Sequence, residues 1–412
     1  IIFFWAVLCL SFTLSKGLIS MSFAGLCLLS LTDIRDTKSG KYEKLIYWLF
    51  TLLYVFAAIS FFYSEDQDEA VRKLILKLPL LFFPLFYLTL KKTTFNTRIY
   101  LVAILNYGVF LPSSVSVYNY ISNKKLFDQL ILESKPLPIE FGYGIYHIQF
   151  SILLAAAVVF GLYAVIRLFR KGRKDIITWT ILTLTVVNAV NIHILSARTG
   201  LVAMYAGLLA VIAGSLKGIE LKYKIMAVAV CILAPAALFL SSTSLQNRLK
   251  NSLVDLKVVM SGSNANEYSF AMRVEGWKNA IDIIDRHPLE GVGIGDADKE
   301  LYENFKTFNP SIEPNNRRNP HHQMLENAVQ SGVPSALLFL ILLIVIMTRK
   351  TSSPHGNHLL TGIVLLLFIS SNFESILESQ ASIVAFSAFL ALAYVFDRKD
   401  PSESPISEPA FS

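Results

Sequence analysis

Apolar residues run through this chain in long blocks separated by short polar segments, rather than alternating with polar residues one by one. Blocks of roughly 15–25 residues are what a helix needs to cross a bilayer. In hydrocarbon the backbone must satisfy its own hydrogen bonds, so such blocks predict helices. The pattern predicts about twelve spans, at roughly 1–15, 17–32, 45–63, 74–90, 99–120, 145–168, 176–195, 199–216, 224–241, 331–348, 358–372 and 381–396. The first block has neither a basic n-region nor a small-residue cleavage site and reads as a span rather than a signal peptide. The chain opens at Ile1 without Met, which leaves open whether residues precede it.

One long hydrophilic stretch interrupts the pattern, from Ser242 to about Gln323. Within it, "SFAMRVEGWKNAIDIIDR" predicts a helix from Ser269, a plausible N-cap, to Arg286, with Trp277, Ala280, Ile281 and Ile284 on one face. His287-Pro288 ends it, because a residue before proline avoids the α region. Gly291, Gly293 and Gly295 then form a turn that follows no strand, so a dinucleotide site is excluded. Gln323 to Gln330 predicts an amphipathic helix leading into the next span. The expected organisation is 1–241 with nine spans, 242–330 as a large outer loop containing helices, 331–396 with three spans, and 397–412 as a disordered tail. The expected fold is an all-α, polytopic transmembrane bundle.

Composition agrees: 54% of the 412 residues are hydrophobic and 16% charged, against about a quarter charged in soluble domains. Basic loops (Arg35/Lys38/Lys41/Lys44, Lys91/Lys92/Arg98, Arg167 to Lys174, Lys217/Lys222/Lys224, Arg349/Lys350, Arg398/Lys399) alternate with loops poor in Lys and Arg. The positive-inside rule then puts both termini in the cytoplasm and the 242–323 loop outside it. The net charge of +7 is accounted for by cytoplasmic loops facing anionic lipid and does not point to nucleic acid. Cys9, Cys27 and Cys231 lie in apolar blocks without metal or disulfide spacing, and the loop carboxylates form no DxD pattern. No metal site is expected.

The candidate chemistry sits at the outer side. Arg198 stands alone at a span end and reads either as a snorkelling residue or as a guanidinium clamp for phosphate. Arg273 reads either as a solvated loop residue or as part of the same site. His321 and His322 open the lead-in helix, where a histidine can cap or act as a general base near neutral pH. Lys77 either snorkels or lines a path for anionic lipid. His193 and Asn191 are expected to satisfy each other, His147 to be interfacial, and His287 to end a helix. Glu374 and Glu378 either help build the site or face solvent.

"ARTG" at 197–200, "RVEGWKNAIDIIDRHPLEGVGIGD" and "HHQMLENAVQSGVPS" together resemble, in order and spacing, the O-antigen ligase and O-antigen polymerase superfamily of bacterial envelope glycosyltransferases. "NFESILESQASIVAFSAF" is similar to a segment that follows in some members. The resemblance covers residues 190–390 best. Ala197, His322, Gln330 and Ser335 replace the family's usual Ser, Asn, Glu and Gly. The resemblance implies an inner-membrane enzyme without cofactor or metal. It would transfer a glycan en bloc from undecaprenyl diphosphate to an acceptor hydroxyl, lipid A-core in a ligase, with inversion. Polymerase and protein O-oligosaccharyltransferase activities are alternatives in the family. It implies His321, Arg198 and Arg273 as catalytic residues, with His322, Lys77, Trp277, Gln330 and Glu378 as expected substrate contacts. The rival class is a lipid-linked sugar flippase, which would need charged sites near the midplane of the spans.

Overall fold

The computed structural model describes residues 1–31, 40–133, 135, 137–139, 145–215, 236–317, 319–348 and 358–396, with Lys222, Ile225 and Leu233. The chain is helical, with no strand among the described residues. The membrane part comprises α1 (Ile2–Leu14), α2 (Lys16–Leu31), α3 (Lys41–Phe61), α4 (Gln67–Lys77), α5 (Phe83–Lys91) and α6 (Phe95–Ser122). A short α7 (Lys124–Leu132) precedes α8 (His147–Arg170), α9 (Ile176–Leu195) and α10 (Arg198–Ser215). The hydrophilic segment carries α11 (Thr243–Ser261), α12 (Ser269–Arg286), α13 (Ala297–Phe308) and α14 (Gln323–Ser331). The chain then returns through α15 (Val333–Met347), α16 (His358–Ser371) and α17 (Gln380–Phe396).

Six segments among the described residues are long and apolar enough to cross a membrane: α3, α4 with α5, α6, α8, α9 and α10. Five more helices among the described residues, α1, α2, α15, α16 and α17, are apolar but shorter than those six segments. Most of the expected span at 224–241, and the whole tail 397–412, lie outside the described residues. The span expected at 74–90 begins earlier, at Gln67, where Asp66 caps α4 by accepting from the Glu69 amide. It is broken by a 3-10 turn at Leu78–Leu80, because Pro79 and Pro84 cannot donate to a helical ladder.

Helix α8 is the hub of the bundle and is buried along nearly its whole length. Small residues make that possible. A Cβ on Gly161 would lie 2.0 Å from Thr185 of α9, and one on Gly200 would lie 2.6 Å from Ser151 of α8. By contrast α3 turns Leu45, Trp48 and Ile59 outward, as expected of a helix facing lipid.

The helix ends sort into two sets. At one end the Arg98 guanidinium donates to the Val395 carbonyl, Lys171 lies over the Phe95 ring, and Arg173 reaches Asn96. This end gathers the basic residues. At the other end Ser20 bonds Gln380, Ser60 meets Ser331, and Ser196 meets Ser244. Helices α11 to α14 are mounted here.

Two small cores hold this mounted layer together. One joins Ala280 and Ile283 to Ala297, Leu301 and Val329, and the other joins Ala271 to Phe305 and Ile312. The glycine turn fastens the layer to the bundle. Val292 N–H donates to the Val329 carbonyl at 2.8 Å and Gly293 N–H to Gln330 at 3.2 Å, while Val333 N–H returns to Pro288 at 2.9 Å. Gly291, Gly293 and Gly332 have φ of 69°, 99° and 80°, a region that favours glycine. A Cβ on Gly332 would fall 1.9 Å from the Leu289 carbonyl oxygen. The Asp296 carboxylate completes the fastening by accepting from the Glu65 and Asp66 amides at 2.7 and 2.9 Å. The glycine run is therefore a backbone clasp.

Candidate active site

The α9–α10 corner is tight. Ser196 takes a left-handed conformation with φ 50°, and Arg198 begins the next helix. The guanidinium and the positive end of the α10 dipole thus point the same way. Helix α11 meets this corner with two residues one turn apart. Arg198 Nη1 donates to Ser252 Oγ at 2.8 Å and to Asp255 Oδ2 at 3.2 Å. Asp255 is fully buried and also accepts from the Phe270 amide at 3.2 Å. Ser269 is the first residue of α12 rather than its cap. Tyr268 is the N-cap without a side-chain bond, and the Asp255 carboxylate supplies the missing acceptor.

Arg273 projects from α12, two turns before the end of that helix's buried Asn279–Ala280 stretch. Burial pulls its guanidinium below the usual arginine range, with Arg198 acting the same way, while Glu374 and Asp255 oppose the shift. Trp277, one turn on, donates its indole N–H to the Pro320 carbonyl at 2.9 Å, which anchors the segment carrying the histidines.

His321 has φ 47°, a strained position for a side chain of this kind. Its Nδ1 lies 3.4 Å from Glu374 Oε2, within ion-pair reach but outside hydrogen-bond geometry. Glu374 is buried, so the solvent-facing alternative does not hold for it.

Arg198, Arg273 and His321 all line one cavity of about 530 Å³, between the ends of α8, α9 and α10 that meet the mounted layer and that layer itself. Two residues not expected there join them. His147, at the start of α8, lines the cavity with its side chain half-buried. Arg248, on α11, also lines it; burial pushes its guanidinium down to about 10, aided by Arg198 and opposed by Asp255.

The other expected contacts lie elsewhere. His322 caps α14 and stacks edge-on against Trp277, with ring centroids 5.8 Å apart. Both face an open apolar groove bordered by Val202, Ile281, Phe368 and Phe373, on the far side of the His321 segment. Burial lowers the His322 imidazole below its usual range. Lys77, Gln330 and Glu378 form a separate buried network instead of lining the cavity. Lys77 pairs with Glu378, and Gln330 Nε2 donates to Glu378 at 3.0 Å and to Glu326 at 2.8 Å. Lys73 joins through Asp298 at 2.9 Å. Burial, then Glu378, pushes the Glu326 carboxyl up to about 8, while Lys73 opposes this. Glu378 goes the other way: burial would raise it, but Lys77 and Lys73 outweigh burial and hold it low.

His193 and Asn191 do not bond each other. His193 is held by the Ala189 carbonyl and Tyr205, and Asn191 by Ser113 and Ser114, because α9 turns the two side chains to different neighbours. His287 caps the end of α12 and lies 3.7 Å from Glu290. Among the described residues no group of three or more His, Cys, Asp or Glu side chains is arranged to hold a metal ion.

An apolar helical bundle with an arginine- and histidine-lined cavity at one end defines a membrane protein. Residues 183–340 match the family described as O-antigen ligase. That segment contains Arg198, Arg248, Arg273 and His321. No curated protein matches the chain.

Proposed function

We propose that this protein is a glycosyltransferase of the O-antigen ligase and polymerase type, moving a glycan en bloc from a lipid diphosphate to an acceptor hydroxyl. The carrying observation is the convergence of Arg198, Arg273 and His321 on one cavity. Undecaprenyl diphosphate is the donor carrier and lipid A-core the acceptor in the ligase reading. The basic helix ends face the cytoplasm, so both termini are cytoplasmic and the cavity opens outside the bacterial inner membrane.

The chemistry follows from the placement. As the sugar C1–O bond breaks, its electron pair moves onto the diphosphate. Arg198 and Arg273 sit where that charge grows, in a partly dehydrated cavity where fixed cations act strongly. His321 accepts the proton of the attacking hydroxyl, and Glu374 lies where it can orient the ring and offset the imidazolium charge. A hydroxyl attacking opposite the leaving group gives a single displacement with inversion. The apolar groove behind His322 and Trp277 supplies a surface for the carrier's lipid tail beside the cavity.

The test is transfer of lipid-linked glycan by purified protein in nanodiscs. His321→Ala and Arg198→Ala are each expected to lower turnover by at least about a hundredfold. Activity surviving both substitutions would refute the mechanism. Deleting the gene separates the members of the class. Loss of capped lipopolysaccharide indicates a ligase, loss of long chains alone a polymerase, and loss of glycoprotein a protein glycosyltransferase. A flippase would instead move the lipid-linked sugar between leaflets without making product.

A further inference from the structure

The cavity holds a cation that two-arginine chemistry does not use. Arg248 sits on the same face of α11 as Ser252 and Asp255, one and two turns away. Ser252 ties it to the site directly: its hydroxyl accepts from Arg198 Nη1 and bonds the Arg248 carbonyl at 2.8 Å. Among the described residues the Arg248 guanidinium donates to a neutral partner, the Lys135 carbonyl, at 2.8 Å.

Charge bookkeeping shows what is missing. The Arg198 charge is matched by Asp255, and Glu374 lies against His321. At the rim Glu133 pairs with Lys135, while Glu267 is exposed. Arg248 and Arg273 are left as two cations in the cavity wall without a contacting carboxylate among the described residues. A half-buried, partly dehydrated cation with no counter-ion is unfavourable, so the cavity is built for an anion with at least two charges. A glycosyl diphosphate lipid carries two. When its C1–O bond breaks and the acceptor oxygen takes over C1, the departing lipid diphosphate carries three, while the acceptor proton passes to His321.

We propose that Arg248 is a third ligand of the donor diphosphate, holding the phosphate group that Arg198 and Arg273 leave unmatched. This rests on the functional reading above. It makes α11 part of the donor site, and it predicts that the site distinguishes a diphosphate from a monophosphate.

The experiment measures binding of undecaprenyl monophosphate and undecaprenyl diphosphate to the full chain in nanodiscs, with Arg248→Met and Arg248→Lys beside the wild type. The wild type is expected to prefer the diphosphate. Arg248→Met is expected to weaken diphosphate binding by about ten- to a hundredfold, the value of a charge-assisted bond, and to shrink the preference over monophosphate. Arg248→Lys restores part of both. Thermal unfolding of the three proteins without ligand checks that the variants are folded. A folded Arg248→Met protein with the wild-type preference overturns the proposal and leaves the functional reading intact. Equal losses for the two lipids also overturn it, as does an effect confined to the KM of the acceptor. A wild type that binds neither lipid overturns the functional reading itself, and the role of Arg248 with it.

Discussion

Asp255 is where the stability of the site and its chemistry meet, and its removal can be worked through in numbers. The residue is fully buried, and its Oδ2 accepts from Arg198 Nη1 and from the Phe270 amide, both at 3.2 Å. Asp255→Ala deletes both acceptors. A hydrogen bond between charged groups contributes about 1.5–3 kcal/mol and one from a neutral amide about 1 kcal/mol. The expected loss is about 3–4 kcal/mol, because Ser252 still holds Arg198 at 2.8 Å but nothing replaces the acceptor at the start of α12. Asp255→Asn retains an acceptor for Phe270 and loses only the charge, so about half that loss is expected. Thermal unfolding in detergent, followed by tryptophan fluorescence, ranks the wild type above Asp255→Asn and Asp255→Ala below both. Turnover is expected to fall at least about tenfold even in the milder variant, because a guanidinium free to rotate must be fixed again in each cycle. Two variants that unfold and turn over like the wild type would refute the idea that this carboxylate fixes Arg198.

Gly332→Ala is expected to destabilise by about 2–4 kcal/mol through its φ of 80° and the contact with Leu289, whereas Gly276→Ala on α12, with only ordinary contacts to Pro320, should be neutral or stabilising. Unfolding of the two variants side by side checks this. Glu326 keeps its proton to about pH 8 in the folded chain but releases it near 4.5 when unfolded, so stability falls as pH rises between those values. Glu326→Gln should flatten that dependence and raise stability near pH 7, read as unfolding midpoints from pH 5 to 8.5. Trp277→Phe removes the bond to Pro320 and is expected to lower turnover more than donor binding. Glu374→Gln keeps the shape beside His321 but loses the charge, and single-turnover transfer should slow while donor affinity changes little.

The residues that stood alone as charges at span ends were legible from the chain. Arg198 and His321 sit at or just before helix starts, and the α12 bounds Ser269–Arg286 were read correctly, but its stripe was misphased: Ile283 is the buried core residue, whereas Ile281 is exposed. Arg248 was hidden because its stretch matched no motif, although Arg248, Ser252 and Asp255 recur at helical spacing and could have been read as one face. Lys77, Gln330 and Glu378 were grouped with the site because they share its side of the membrane. Phasing separates them: Gln323, Glu326 and Gln330 form one stripe of α14, opposite Lys73 and Lys77 one turn apart on α4. His322 follows His321 directly, yet the reversal at φ 47° sends the two rings to opposite sides of the segment. Side and depth can be inferred from charge patterns, but which face a residue presents depends on turns that only the folded chain fixes.

The clasp between α4 and the distal part of the chain also has a consequence for biogenesis. Lys77 finds its carboxylate partner 301 residues later, and Lys73 finds its own in α13. The segment 67–91 therefore leaves the ribosome with Lys73 and Lys77 lacking the carboxylates that pair with them in the folded chain. It stays incompletely seated until α13 and the Glu378 segment have been synthesised and have crossed. Closing of these pairs is then a late event in assembly, and a chain truncated before Glu378 exposes a polar defect in its first half.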